Sequence, residues 1–145
     1  MSEFEVEQID HVELFVPDQR AAAAWYERVL GLRVIAEFEH WADDGPLMMS
    51  TRRAQTKLAL FRGEPLESPP RAAFRRVAFQ VDAAGFLTFL NRLEDLDLKA
   101  EAGAPVTLND WVDHSESLSI YFVDPWRHRF EITTYDVARA RELLP

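Results

Sequence analysis

The stretch S-L-S-I-Y-F-V-D-P-W-R-H-R-F-E-I-T-T-Y-D, residues 117–136, decides how this chain folds. Two alternating runs, 118–123 and 129–135, stand on either side of Asp124-Pro125. Proline at the first central position of a turn is preset for type I geometry, so the stretch predicts a β-hairpin. Phe130 and Ile132 belong to the core side of its second strand, and a period of two throws Glu131 onto the opposite side beside Thr133. A carboxylate in that place is either an ordinary solvated residue or the acidic member of a site. His128 precedes Glu131 by an odd offset, which sends it toward the core side or the turn.

Outward from this hairpin, the same pattern occurs twice. Residues 74–81 alternate, Asp82 can cap a helix, and Phe86, Leu87, Phe89, Leu90 and Leu93 give that helix an apolar face. A strand near 98–102 and an irregular stretch through Trp111 and His114 lead into the hairpin. In the first half, residues 9–16 alternate with Val12, Leu14 and Val16 on one face and His11, Glu13 and Phe15 on the other. Pro17-Asp18 ends that strand, Asp18 caps a helix over 21–30, and Gly31 stops it. Strands are expected at 33–41, 47–51 and 56–61, with a turn at 42–46. Each half therefore reads βαβββ, which makes the fold class α+β with one unit used twice. The boundaries are a first module at about 8–62, a linker at 63–73 whose Pro65, Pro69 and Pro70 remove backbone donors, and a second module at about 74–136. A C-terminal helix at 137–144, capped by Asp136, carries Val137, Ala140, Leu143 and Leu144 on one side, able to pack on the module or on a second chain.

Aligning the halves sets Val12, Leu14 and Val16 against Val77, Phe79 and Val81, and Leu58 and Leu60 against Phe130 and Ile132. His11 then matches Arg76, and Ala59 matches Glu131. With one face of each module covered by its helix, the other faces are expected to form a curved mixed sheet around a cleft. Its lining would be His11, Glu13, Phe15, Ala59, Phe61, Arg76, Gln80, Tyr121, Glu131 and Thr133.

Composition narrows the partners. A chain of 145 residues, 48% hydrophobic and with only 5 Gly, is long enough for one ordinary core. Its 25 acidic against 16 basic residues give a net charge of −9, which repels phosphate backbones and anionic lipid, so nucleic acid and membrane surfaces are set aside as partners. There is no Cys, which excludes disulfides, thiolate metal sites and Cys nucleophiles. The acidic N-terminus and the shortness of the longest apolar run, 21–26, match neither a leader nor a membrane span, and a cytoplasmic protein is expected.

In order and separation, Ile9-Asp10-His11-Val12, then Trp25-Tyr26-Glu27-Arg28-Val29-Leu30-Gly31-Leu32, then Val77-Ala78-Phe79, then Ser119-Ile120-Tyr121-Phe122-Val123-Asp124-Pro125 through His128 to Glu131, resemble the vicinal oxygen chelate superfamily. That group includes glyoxalase I, bleomycin-resistance and fosfomycin-resistance proteins and extradiol dioxygenases. The resemblance runs over 9–136 and implies paired βαβββ modules, a small-molecule ligand or substrate and a homodimer. In the metal enzymes of the family it implies one divalent ion held from the first, fifth and eighth strands, sometimes with a fourth-strand ligand. Carried over to this sequence, the first-strand ligand is His11 and the eighth-strand ligand Glu131. Arg76 occupies the fifth-strand position and Ala59 the fourth-strand one.

A guanidinium is always charged and offers no lone pair, so Arg76 cannot be a ligand. At roughly 4–5 Å from a divalent ion, with an effective dielectric near 20, its repulsion would be about 7 kcal/mol. Beside Glu131 it could instead replace the metal as that carboxylate's partner. His114 is the one candidate that could restore a third ligand, with the alternative of a loop His bonded to local backbone; His40 reads as a rim residue. Of the other basic residues, Arg71 belongs to the connector and Arg75 faces away from Arg76, so they form no common anion site.

Three functional readings follow. In one, a metal-free cleft binds a small ligand, with Phe15, Phe61, Tyr121 and Trp111 as stacking surface and Arg76, Gln80 and Glu131 as polar contacts. In another, a divalent-metal lyase, isomerase or dioxygenase uses His11, Glu131 and His114, with Glu131, Glu13 or Tyr121 as acid–base candidates. In the third, the cleft is an interface between chains. The balance leans to the first. Where relatives follow Asp-Pro with Asp-Gly, this chain has Trp126-Arg127, so the turn is expected to change shape.

Overall fold

The computed structural model describes residues 9–64 and 76–145, and the chain divides into two compact units, Met1–Pro65 and Leu66–Pro145. The start of the fifth strand at residues 74 and 75 and most of the proline-bearing connector lie outside the described residues.

In the first unit β1 (His11–Val16), β2 (Arg33–Val34), β3 (Leu47–Ser50) and β4 (Lys57–Arg62) form a sheet in the order β1-β4-β3-β2, with β1 parallel to β4 and the other pairs antiparallel. Helix α1 (Gln19–Leu30) packs on β3 and β4. Its first turn is satisfied by Asp18, whose Oδ1 accepts from the Arg20 and Ala21 amides at 2.9 and 3.0 Å. Its end is closed by Gly31 at φ 70°, a left-handed conformation that glycine adopts without a Cβ penalty. Ala22, Tyr26 and Val29 on the helix, with Leu47, Met49, Leu58 and Leu60 on the strands, are fully buried and make the core. The buried Gln19 amide donates to the carbonyls of Gly45 at 2.8 Å and Leu60 at 2.7 Å, fastening the helix start to β4 and to the loop before β3.

The expected strand at 33–41 is only two residues long. Ala36–Asp43 is instead a 3₁₀ helix, in which residues three apart eclipse one another, and Phe38 and Trp41 use that spacing to stack at 4.3 Å.

In the second unit β5 (Val77–Gln80), β6 (Val112–Asp113), β7 (Leu118–Val123) and β8 (Arg129–Thr134) take the order β5-β8-β7-β6. Here β5 is parallel to β8, and β6 and β7 complete the sheet antiparallel. Helices α2 (Ala83–Asn91) and α3 (Leu93–Leu96) follow β5, and α4 (Val137–Leu143) packs on α2. Asp82 caps α2 through the Gly85 amide at 2.7 Å. Asp136, expected to cap α4, makes no side-chain cap bond. No strand forms over 98–102: Lys99 bridges Val123 and Pro105, and Ala100 turns back on Ala104 and Gly103, so the run reverses before a ladder can extend.

The repeat appears in the register itself. Val12 pairs with Leu58 and Leu14 with Leu60, while Val77 pairs with Phe130 and Phe79 with Ile132. The fold is α+β, with the βαβββ unit present twice.

Candidate functional site

The face of the second sheet turned away from α2 carries the polar residues. Its period-2 partners lie in rows across the strands: Ala78, Glu131 and Tyr121 in one row, and Gln80, Thr133 and Ser119 in the next. Arg76 precedes β5 and continues the outward face, and both Arg76 and Gln80 are exposed.

Tyr121 is the centre of this face. The Arg76 guanidinium lies over its ring, with Cζ 4.5 Å from the centroid, a favourable arrangement of a cation on the electron-rich face. Its hydroxyl is 2.7 Å from His114 Nε2, and the two rings meet edge-on at 76°. His114 reaches it from the tight turn between β6 and β7. There the His114 amide donates to the Ser117 carbonyl at 2.9 Å, and Ser115 adopts φ 73° with its amide on Asp113 Oδ1 at 2.9 Å.

Glu131 is half-buried, and its Oε1 accepts from the fully buried Ser119 hydroxyl at 2.7 Å. Ser119 Oγ is also 3.0 Å from Thr133 Oγ1, which lies 3.2 Å from the Leu118 carbonyl. Each hydroxyl has one proton, and the charged acceptor makes the stronger bond, so the Ser119 proton goes to Glu131. Thr133 then donates to Ser119 or to Leu118. Among the described residues no buried side-chain polar atom lacks a partner, and Glu131 Oε2 has none, so that oxygen reaches solvent.

An Arg76–Glu131 ion pair is absent among the described residues; the cation is on Tyr121 and the carboxylate on Ser119. Ser119 escaped the sequence reading, although L-S-I-Y places it two residues before Tyr121 and hence on the same face. Trp111 immediately precedes β6 and is half-buried. His128 is in the turn, its Nδ1 2.7 Å from Asp124 Oδ2. The Asp-Pro turn keeps a left-handed residue after all: Arg127 has φ 73°.

In the first unit, β1 and β4 place His11 beside Lys57, Glu13 beside Ala59 and Phe15 beside Phe61. His11 Nδ1 is 2.9 Å from Asp10 Oδ2, and its Nε2 is 3.7 Å from Glu13 Oε1. The Lys57 ammonium donates to Asp10 Oδ1 at 2.6 Å, and this bond, with the one from His11, holds the Asp10 carboxyl below its usual value. Phe15 and Phe61 pack at 5.7 Å, and Phe15 is half exposed. A Cβ at Gly63 would sit 2.8 Å from the Phe15 ring, so any side chain there would push that ring aside. Ala59 is buried and has no donor atom to offer. His40 is exposed beside Trp41 in the 3₁₀ helix.

Within either unit taken by itself, the described residues do not assemble the donor set for the ion that the resemblance implies. Among the described residues no group of three His, Asp or Glu lies together to hold one. The fifth-strand position carries a guanidinium already seated on an aromatic ring, and one of the two His114 ring nitrogens, Nε2, is on the Tyr121 hydroxyl.

A family model described as Glyoxalase/Bleomycin resistance protein/Dioxygenase superfamily matches residues 8–132. No curated protein matches the chain. Among solved structures, a glyoxalase/dioxygenase from Nostoc punctiforme is 25% identical with a TM-score of 0.66, the alignment covering 93% of this chain and 95% of that one. The fosfomycin resistance protein FosX from Mesorhizobium loti is 22% identical with a TM-score of 0.63, covering 90% and 93%. FosX from Listeria monocytogenes, solved with Mn(II) and sulfate, is 16% identical with a TM-score of 0.65, covering 96% and 98%. At the identities of the two FosX proteins the likeness carries the fold alone.

Proposed function

Because the chain belongs to the glyoxalase/bleomycin resistance protein/dioxygenase superfamily, we propose that the open face of its second sheet binds a small polar molecule without depending on a tightly held metal ion. The observation that carries this reading is the Arg76 guanidinium over Tyr121, at the position where the family's metal enzymes supply a ligand.

The available groups define what such a molecule would be. Arg76 makes no hydrogen bond or ion pair with a described residue, so its fork of donors is free for an anionic group such as a carboxylate. Glu131 Oε2 is free to accept from a hydroxyl or an amine, Oε1 being held by Ser119. The Tyr121 phenol with His114 at its oxygen can hold or pass a proton at a third point. Apolar contact would come from Trp111, beside β6 in the same unit. The ligand is thus a small anion that also donates a hydrogen bond, and the protein is a homodimer, as the resemblance to the superfamily implies.

The competing reading, a divalent-metal enzyme using His11, Glu131 and His114, is favoured by one fact: a FosX of the same fold was solved with Mn(II). Metal content after purification without chelator, followed by thermal unfolding with Mn²⁺, Ni²⁺, Fe²⁺, Zn²⁺ or EDTA, separates the two. The expected result is no stoichiometric ion, no effect of EDTA, and stabilisation by members of a panel of small hydroxycarboxylates that is lost in Arg76→Gln. At a hundredfold excess over the dissociation constant a true ligand adds about 2.7 kcal/mol. A near-stoichiometric ion whose stabilisation vanishes in His11→Ala would overturn the proposal.

A further inference from the structure

Arg141 lies on α4, past residue 132 where the family match ends. Its guanidinium grips Asp113 on β6 bidentately, with Nη2 2.8 Å from Oδ1 and 2.7 Å from Oδ2 and Nε 3.2 Å from Oδ2. The helix is itself seated, since the neighbouring Ala140 is buried and α4 packs on α2. Asp113 Oδ1 also accepts the Ser115 amide at 2.9 Å, so one carboxylate ties the helix to the turn that follows β6.

This matters because the turn lies at an exposed edge of the sheet. The β6 strand has two residues, both exposed, and forms the sheet's edge. Ser115 has φ 73°, a conformation that costs a non-glycine residue energy unless its surroundings hold it. Short exposed edges open easily. His114 sits between Asp113 and Ser115, with its own amide on the Ser117 carbonyl, and its Nε2 is 2.7 Å from the Tyr121 hydroxyl. Fixing the backbone on both sides of His114 narrows where its ring can point.

We infer that Arg141 is a positioning residue for the Tyr121 face: by holding Asp113 it keeps the 113–117 turn in the geometry that brings His114 onto the Tyr121 hydroxyl. The functional weight of this rests on the reading of that face as the ligand site; the geometric linkage does not. The Ser115 amide and the Arg141 guanidinium both hold the Asp113 carboxyl below its usual value, as fits one carboxylate shared between the turn and α4.

The test is solution NMR of the full chain, reading the His114 ring signals, their correlation with Tyr121, and the exchange of the Ser115 amide. Arg141→Gln should speed Ser115 exchange about threefold, as loss of an exposed ion pair allows, and should weaken the His114–Tyr121 correlation. Arg141→Lys should restore both in part. Arg139→Gln removes the same charge from the same helix, where among the described residues Arg139 pairs only with Glu142, and should change neither. Should Arg141→Gln fail to fold, Asp113→Asn keeps an acceptor for Ser115 while removing the charge, and should give the same weakening.

Wild-type His114 signals in Arg141→Gln, or equal effects from Arg139→Gln, would overturn the inference. Titration of wild type with lactate separates it from the binding proposal. If lactate does not bind but the His114 signals still depend on Arg141, the positioning role stands and the binding reading is weakened. If lactate binds and the signals ignore Arg141, the positioning role falls alone.

Discussion

Ser119 and Glu131 show how much a single buried hydroxyl can decide. Ser119 is fully buried and gives its proton to Glu131, so removing it leaves a half-buried carboxylate oxygen without its donor. Ser119→Ala should cost about 1–2 kcal/mol in urea unfolding. Thr133 keeps the Leu118 carbonyl as an alternative acceptor, which prevents a larger loss. Arg127 illustrates the opposite limit of what a sequence tells. Without glycine after Asp-Pro-Trp the turn was expected to change shape, but the buried Asp124 over-determines it. Its Oδ1 accepts the Trp126 and His128 amides, its Oδ2 meets the His128 ring, and its carbonyl accepts the Arg127 amide. The left-handed Arg127 is therefore imposed from outside itself, and Arg127→Gly should relieve about 1 kcal/mol, seen as a higher melting temperature.

At the scale of elements, the strands and helices with clear periods were legible and the exceptions have specific causes. The stretch A-E-F-E, residues 36–39, alternates apolar and polar residues as a strand does, yet Phe38 and Trp41 also stand three apart, and in the 3₁₀ helix that spacing stacks them. Alternation over so short a run cannot separate the two. The β6 strand was missed because two residues carry no period, and Arg141 because nothing in a local pattern links it to Asp113, 28 residues away. His114 and Tyr121 were both singled out, but their contact depends on that unseen turn. The α4–β6 tie also sets an acid response. The Asp113 pKa in the folded protein is below the ordinary 3.8, so its contribution is complete above that value and is lost as pH falls toward the lowered one. Protection of the Ser115 amide should thus be flat from about pH 5 to 8, should fall below pH 4, and should lose that acid dependence in Asp113→Asn, as hydrogen exchange can measure.

For the whole molecule, the repeat was legible because it is written in hydrophobic alternation, and the register repeats with it: Val12 on Leu58 in one unit, Val77 on Phe130 in the other. What the alternation did not contain was the partner of each outward side chain, which is why Arg76 was matched with Glu131 and is found on Tyr121. The net charge of −9 acts on the molecule as a whole. Screening that self-repulsion should raise the melting temperature modestly between 20 and 200 mM NaCl, and a fall would mean that the surface ion pairs outweigh it.

The strand order has a consequence for how the protein is made. Among the described residues of the second sheet β5 has β8 as its one neighbour, and β8 is the last strand of the module to leave the ribosome. Until residues 129–134 emerge, a nascent chain carries β5 with both of its hydrogen-bonding edges open. Because the exit tunnel hides the residues most recently added, pausing after β5 has emerged and before β8 has would lengthen that exposure, and slow codons placed to pause the ribosome in that interval should increase aggregation.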